Sequence, residues 1–246
     1  MATTPPPPSQ VRTGLTIVSA AAAEELAVVA AQTTSAEEMR AALFLAAPII
    51  VSEYSDGTAA LALDWYEELR EFAAPEEAFA PSPVRLVTDE DVRAAIAAAT
   101  VALQSTPDDL APDAITTTLR LVGGRVEELV ADAFRDTITV NSNQDPESVG
   151  WRRFARPEAC KFCVMLAAKG AVYTERTARF AAHGAVMGGN RKGGNCMCIA
   201  GPAFGGKEIW AEATPMQYLA SRRKRTAKQK AELRDYLNEH FPDAPG

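Results

Sequence analysis

The sequence predicts a mainly α protein: an N-terminal helical bundle, a small C-terminal α+β module that contains the cysteines, and a terminal basic helix. Three observations predict this fold. The apolar share of 47% includes many alanines and few β-branched runs, which favours helix. Apolar residues recur at helical spacing through roughly the first 140 residues. Glycines, cysteines and short apolar runs replace that spacing in the second half.

The first residues predict two local features. Residues 1–12 contain four consecutive prolines, Pro5 to Pro8, and are expected to form a disordered, proline-rich tail. Residues 13–148 are expected to form an acidic helical domain. Its first helix carries a partial apolar stripe that includes Val18 and Leu26.

Capping signals divide the acidic domain further. Ser35 and Glu38 have the spacing of a capping box, which predicts a helix that runs from there toward Pro48. A separate third helix is expected after Asp56-Gly57. Residues 72–86 contain three prolines and predict an extended connector.

Two more helices complete the predicted domain. Thr88 is expected to cap the fourth helix. A long helix should follow from Asp113 to about Thr139, loosened at Gly123-Gly124. The polar run from Asn141 to Pro146 then predicts a loop.

The second half predicts a different structure. Residues 149–205 should form the α+β module, with short strands at Trp151–Phe154, Ala171–Tyr173 and Cys198–Ala200. Residues 206–246 should contain a basic helix that starts at Thr214-Pro215 and a C-terminal tail.

Charge divides the chain in the same way. Residues 1–150 carry 24 Asp or Glu and 8 Arg, a net charge of −16. Residues 151–246 carry 17 Lys or Arg and 8 Asp or Glu, a net charge of +9. Such asymmetry indicates two surfaces with different partners, although two solvated halves that attract each other would explain it equally well.

The sequence gives no indication of a membrane or a secretory route. No stretch approaches the roughly 18–20 uninterrupted apolar residues that a membrane span needs. The first residues contain neither a basic segment nor an apolar segment of a signal peptide. We therefore expect no membrane partner and synthesis in a reducing cytoplasm, where structural disulfides are uncommon.

All four cysteines lie in the second half, as the pairs Cys160 and Cys163, and Cys196 and Cys198. Two close pairs separated by a longer insert are typical of small zinc sites, because each pair can occupy one edge of a tetrahedron. The sequence therefore predicts zinc as a candidate cofactor held by these four residues. Four reduced thiols, or two late-forming disulfides, are the alternatives.

Residues 149–205 resemble the C-terminal signature of MuF-like phage head morphogenesis proteins, the minor capsid proteins of actinobacterial tailed phages. The residues that carry the resemblance are Trp151-Arg152-Arg153, Pro157, Cys160-Lys161-Phe162-Cys163, Leu166-Ala167, Lys169-Gly170-Ala171-Val172-Tyr173, Cys196-Met197-Cys198, Pro202 and Phe204. The resemblance implies a protein made in the host cytoplasm and packaged in a few copies inside the capsid of the virion. It also implies portal, scaffold or major capsid protein as partners.

The chain departs from that family at one place. Members commonly have histidines around the second cysteine pair, where this chain has Gly193 and Asn195. This departure counts against a histidine-assisted metal site and leaves a four-cysteine site open.

Members of the family that this chain resembles are often labelled capsid maturation proteases. A protease is therefore the alternative function. Its candidate catalytic residues are Cys160 or Cys163 as the nucleophile and His183 as the base. Serines and aspartates are scarce after residue 145, which argues against a serine triad or an aspartate dyad. The sequence therefore favours a protein that is not an enzyme.

The basic residues predict the second partner. Candidate contacts to packaged DNA or to an acidic protein are Arg191, Lys192, Arg222, Arg223, Lys224, Arg225, Lys228 and Lys230. The expected function is to bridge portal or scaffold and packaged DNA during head assembly. A zinc-dependent DNA-binding module is a further alternative, although it lacks the interleaved aromatics of single-strand binders.

Overall fold

The computed structural model describes residues 8–73, 75–101, 103, 112–154, 166–167, 173–174, 199–204 and 226–240. In these residues, the helices are α1 (Pro8–Ala31), α2 (Ala36–Ala73), α3 (Asp89–Ala99), α4 (Pro112–Gln144) and α5 (Ala227–His240). The strands are β1 (Ser148–Phe154) and β2 (Ile199–Phe204). The prediction of a mainly α fold is confirmed.

Helix α1 begins earlier than the sequence indicated. Residues 8–12 were assigned to the disordered tail, whereas the structure places them in the helix. Proline is tolerated in the first turn of a helix, where its missing N–H has no intrahelical partner. Val11 is buried one turn later, so burial of an apolar side chain favours helix from the start of this segment.

Helix α1 is also long and apolar enough, from Gln10 to Ala31, to cross a membrane by length and composition. It nevertheless places Ala22, Leu26 and Ala30 in the core of the helical bundle. Core helices of proteins meet the same criteria of length and composition.

Helix α2 is continuous over 38 residues, so the prediction of two helices separated near Pro48 and Asp56-Gly57 is wrong. Proline removes one backbone hydrogen bond from a helix interior. Ala47 and Ile50 are buried on either side of Pro48, and their burial favours the helix despite that loss. The predicted start is confirmed, since Ser35 Oγ accepts a hydrogen bond from the Glu38 N–H at 3.1 Å.

The connector predicted over residues 72–86 begins later than predicted, because α2 continues to Ala73, and α3 follows the prediction. Residues 75–88 contain neither helix nor strand. Thr88 then caps α3 with a complete capping box: its side chain accepts from the Asp91 N–H, and the Asp91 carboxylate accepts from the Thr88 N–H. The sequence signal is local, which explains why it predicts the start of this helix correctly.

Helix α4 extends to Gln144, so the loop predicted at Asn141–Pro146 begins too early. Asn141 and Ser142 are buried in the last turn of α4. Their low helix propensity is a weak preference that tertiary packing overrides. Gly123 lies within the helix, and a Cβ there would meet the Ala23 Cβ at 3.6 Å, an ordinary contact distance between packed helices.

The chain forms two compact units that interleave in sequence. The first, the helical unit, comprises Val11–Asp64 and Ser82–Val140. The second, the strand unit, comprises Met1–Gln10, Trp65–Pro81 and Asn141–Gly246. A single boundary at residue 148 does not describe this division, because Trp65–Pro81 belongs with the strands.

The core of the helical unit is aliphatic and comes from α1, α2, α3 and α4. Polar contacts tie the helices together around it. Thr58 Oγ1 of α2 donates to the Val130 carbonyl of α4 at 2.7 Å, and Tyr54 of α2 donates to Glu25 of α1 at 2.8 Å. The exposed charges of this unit are therefore carried on a rigid, packed scaffold.

Candidate functional site

The strand unit contains the segments from which the predicted metal ligands extend. Strands β1 and β2 pair in antiparallel register from Ser148 opposite Phe204 to Phe154 opposite Ile199. Tyr173 bridges to Trp151 through two backbone hydrogen bonds of 3.2 Å. The strands predicted at Trp151–Phe154 and at the start of β2 are confirmed, and β2 continues to Phe204.

The register has a consequence for the cysteines. Because Phe154 lies opposite Ile199, the chain leaves β1 and enters β2 at the same end of the sheet. Cys160 follows Phe154 by six residues, and Cys198 immediately precedes Ile199. The two cysteine pairs are thus attached to neighbouring strand ends, although all four cysteines lie outside the described residues.

A buried polar cluster joins α2 to the end of α4. Asp145 accepts hydrogen bonds from Arg70 Nε at 2.7 Å and from the Tyr66 hydroxyl at 3.1 Å. The Asp145 side chain is fully buried, and the Arg70 side chain is 13% exposed. The Glu147 N–H also donates to the Asp145 carboxylate, at 3.0 Å, which ties the turn before β1 to the same group.

Burial changes the pKa of the tyrosine in this cluster. Desolvation of Tyr66, with the Asp145 carboxylate close by, raises the pKa of the phenol well above its ordinary range. The hydroxyl is therefore a permanent donor near neutral pH. The Asp145 carboxylate accepts from three donors and is shielded from solvent, so we assign the cluster a structural role.

Aromatic rings from α2 pack on the sheet next to this cluster. Trp65 contacts Phe154 edge to face with ring centroids 5.1 Å apart, and Tyr66 contacts Phe204 in the same way at 5.6 Å. A Cβ at Gly201 would lie 2.8 Å from both the Phe154 and the Trp65 rings. Only glycine allows both rings to lie this close to the backbone of β2.

Two arginines of β1 are buried rather than presented to solvent. The Arg152 guanidinium lies 5.4 Å from the centroid of the Phe154 ring, and that of Arg153 lies 5.3 Å from the Tyr173 ring. Such cation–π contacts stabilise the planar guanidinium against aromatic faces. These two arginines therefore contribute to packing, and the charge available to an external polyanion lies elsewhere.

Helix α5 presents the described part of the basic surface. Lys228 and Lys230 are exposed, while Leu233 is buried. Lys228 Nζ lies 4.0 Å from the Glu232 carboxylate, at the limit of an ion pair. Both ammonium groups are thus accessible to a partner.

Comparison with known proteins identifies the family. The sequence model of the VG15 protein family matches residues 4–224. The chain belongs to the VG15 protein family. This is a family of viral gene products, and the chain is accordingly a phage protein. No curated protein and no solved structure matches it.

Most of the predicted site residues of this VG15-family chain lie outside the described residues. This holds for the four cysteines, for His183, and for Arg191, Lys192, Arg222, Arg223, Lys224 and Arg225. The zinc site and the alternative protease site therefore stay predictions. Among the residues that the structure does describe, there is no group of three His, Cys, Asp or Glu that could hold a metal ion.

Sequence reasoning missed the cluster of Tyr66, Arg70 and Asp145. Its partners are 75 to 79 residues apart, so no local spacing reveals them. One sequence signal was available: Asp145 lies between a predicted helix and a predicted strand, where a carboxylate can accept hydrogen bonds from both segments. The second signal is the adjacent pair Trp65 and Tyr66, because a buried tyrosine hydroxyl needs an acceptor such as this carboxylate.

Proposed function

We propose that this chain is a MuF-like minor capsid protein that acts in head assembly, where it bridges portal or scaffold proteins and packaged DNA inside the capsid. The observation that carries the proposal is the signature run between Trp151 and Phe204, which falls within the match to a phage protein family. The described parts of that run include the Trp151–Phe154 part of β1, all of β2 and the Tyr173 bridge.

The acidic half supports the assignment of a protein partner. Its net charge of −16 disfavours contact with DNA, because like charges repel. Many of the exposed acids lie on α1, α2, α3 and α4 within the helical unit, whose helices share one aliphatic core. Portal, scaffold or major capsid protein is the partner that we propose for it.

The basic half supports the assignment of DNA as the second partner. Two of its predicted contacts, Lys228 and Lys230, are exposed on α5. Nonspecific DNA binding through such residues weakens steeply with salt, because each phosphate contact releases counterions. We expect the full chain to bind duplex DNA without sequence preference and with this salt dependence.

Zinc bound by Cys160, Cys163, Cys196 and Cys198 is part of the proposal. The β1–β2 register supports it, because the two cysteine-bearing segments extend from adjacent strand ends. Reduced full-length protein is expected to contain about one zinc per chain, since four thiolates complete one tetrahedral site. Metal analysis that finds less than about one-tenth of an equivalent in reduced protein would exclude this site.

Affinity purification of a tagged chain from assembling heads tests the proposed function. Portal or scaffold protein should copurify with it, and a protein from outside the head would contradict the proposal. The N-terminus of the major capsid protein is sequenced in parallel in cells that carry the wild-type chain or the His183→Ala variant. We expect any capsid cleavage to persist in the variant, and its loss with a folded variant would favour the protease alternative.

Charge reversal tests the DNA contact. The Lys228→Glu/Lys230→Glu variant should bind DNA more weakly and lower the slope of log affinity against log salt by up to about 1.8. The matched control is Arg120→Glu/Arg125→Glu, which changes two exposed arginines of the helical unit by the same total charge. Equal effects of the two variants would show that only net charge matters.

A further inference from the structure

Helix α2 carries an exposed apolar face that the core does not use. Leu45 and Ile49 are each 69% exposed, and Phe44 is 40% exposed. The opposite side of the same turns is buried, with Leu43, Ala47 and Ile50 in the core of the helical unit. We call the exposed side of α2, with Leu45 and Ile49 at its centre and Phe44 at its margin, the α2 face.

Acidic residues flank the α2 face at both ends. Glu37 and Glu38 precede it, and Glu53 and Asp56 follow it, all exposed. Glu38 and Asp56 are 18 residues apart, which is about 27 Å along a helix. Leu45 and Ile49 lie one turn apart on the side of α2 that also carries Glu38 and Asp56, so the face combines exposed apolar side chains with acids at both ends.

A second copy of the chain fits this face poorly. If two α2 helices paired in antiparallel fashion about their Leu45–Ile49 centres, Glu38 of one would lie beside Asp56 of the other. In a parallel pair, each acid would lie beside its own equivalent. Either arrangement opposes like charges at both ends of the contact, which disfavours association.

We propose that the α2 face docks a basic amphipathic helix of another protein, with apolar residues at helical spacing and Lys or Arg at both ends. Apolar side chains of such a helix would cover Leu45 and Ile49, and its basic ends would meet the acids. This inference rests on the proposed function and deepens it, because it names the surface through which the acidic half meets its partner.

Site-specific photocrosslinking in the full-length chain during phage growth tests this surface. A photoreactive residue replaces Leu45 in one variant and Arg125, an exposed residue of α4, in the control. We expect the Leu45 position alone to crosslink to one segment with apolar residues at helical spacing and more Lys and Arg than Asp and Glu. The mapped sequence of that segment, rather than its capture, is the result that supports the proposal.

Charge-reversal variants test the electrostatic contribution to docking separately from the apolar contribution. Glu53→Lys/Asp56→Lys should lower the crosslink yield several-fold and leave the melting temperature unchanged, because both side chains are exposed. The matched control is Asp113→Lys/Glu127→Lys, which reverses two exposed acids of α4. Equal yields from the two double variants would overturn the electrostatic part of the proposal and with it the predicted partner chemistry.

The identity of the crosslinked segment distinguishes the two proposals. A basic amphipathic segment of portal, scaffold or major capsid protein supports both. The same chemistry in a protein from outside the head supports the α2 face and contradicts the proposed function. A neutral or acidic segment, a second copy of this chain, or no crosslink above the control overturns the α2 face, while the affinity purification still decides the proposed function.

Discussion

Replacing Gly201 by alanine tests the packing of α2 on the sheet. The new Cβ would lie 2.8 Å from Cε2 of Phe154 and 2.8 Å from Cη2 of Trp65, whereas ordinary contacts begin near 3.4 Å. Both rings must therefore move by about 0.6 Å relative to the β2 backbone. Each is buried and packs edge to face on the other, so neither ring moves independently.

Overpacking of this kind typically costs about 1–3 kcal/mol, and two simultaneous ring contacts place the expected loss near 2 kcal/mol. Urea unfolding followed by tryptophan fluorescence measures it, because Trp65 and Trp151 are both buried in the strand unit. The matched control is Gly124→Ala in α4, where a Cβ meets nothing within 4 Å. That substitution should stabilise the protein by about 0.5–1 kcal/mol when unfolding is followed by circular dichroism.

A second substitution identifies the source of the loss. The double variant Gly201→Ala/Phe154→Leu should lose less stability than the sum of its single variants, because the smaller side chain gives space to the new methyl. A Gly201→Ala protein within about 0.5 kcal/mol of wild type would refute the reasoning. So would strictly additive losses in the double variant.

Three further predictions concern the buried cluster and a helix cap. Asp145→Ala should destabilise the chain by about 2–3 kcal/mol, because it removes the buried acceptor that Arg70, Tyr66 and the Glu147 N–H share. Asp64→Ala, at an exposed site of α2, should cost less than about 0.5 kcal/mol in the same urea titration. The pKa of Tyr66 is raised in the folded chain relative to the unfolded chain. Above about pH 10 the phenol therefore ionises in the unfolded chain before it ionises in the folded chain, and the free energy of unfolding should fall as the pH rises. Tyr66→Phe should flatten that fall, and an unchanged slope would show that the hydroxyl is not buried in solution. Thr88→Ala should lower the free energy of unfolding by about 1 kcal/mol, because it removes the cap of α3. The control is Thr117→Ala, at an exposed site within α4, and equal stabilities of the two variants would contradict the capping role.

Local signals in the sequence predicted the features that depend on neighbouring residues. The caps at Ser35 and Thr88 are examples, since donor and acceptor lie three residues apart. The same local rules failed at Pro48 and at Asn141, where the sequence predicted breaks and the structure has helix. At Asn141, burial outweighs a small intrinsic preference, whereas at Pro48 the burial of Ala47 and Ile50 offsets a cost of about 3 kcal/mol.

The candidate site shows the same limit. The two strands were predictable from short segments that contain aromatic or aliphatic residues, but their pairing was not, because 44 residues separate β1 from β2. The role of Gly201 depends on Trp65, which lies more than 130 residues earlier. Such contacts follow from tertiary packing, which the spacing of residues in one sequence does not encode.

Quantitative mass spectrometry of purified, DNA-filled virions tests the central claim most directly. The chain should be present in a few copies per particle, far fewer than the major capsid protein, and intact particles should protect it from added protease until the heads are opened. Both results follow from a minor protein inside the capsid. Absence of the chain from these virions, or its digestion on intact particles, would contradict the account.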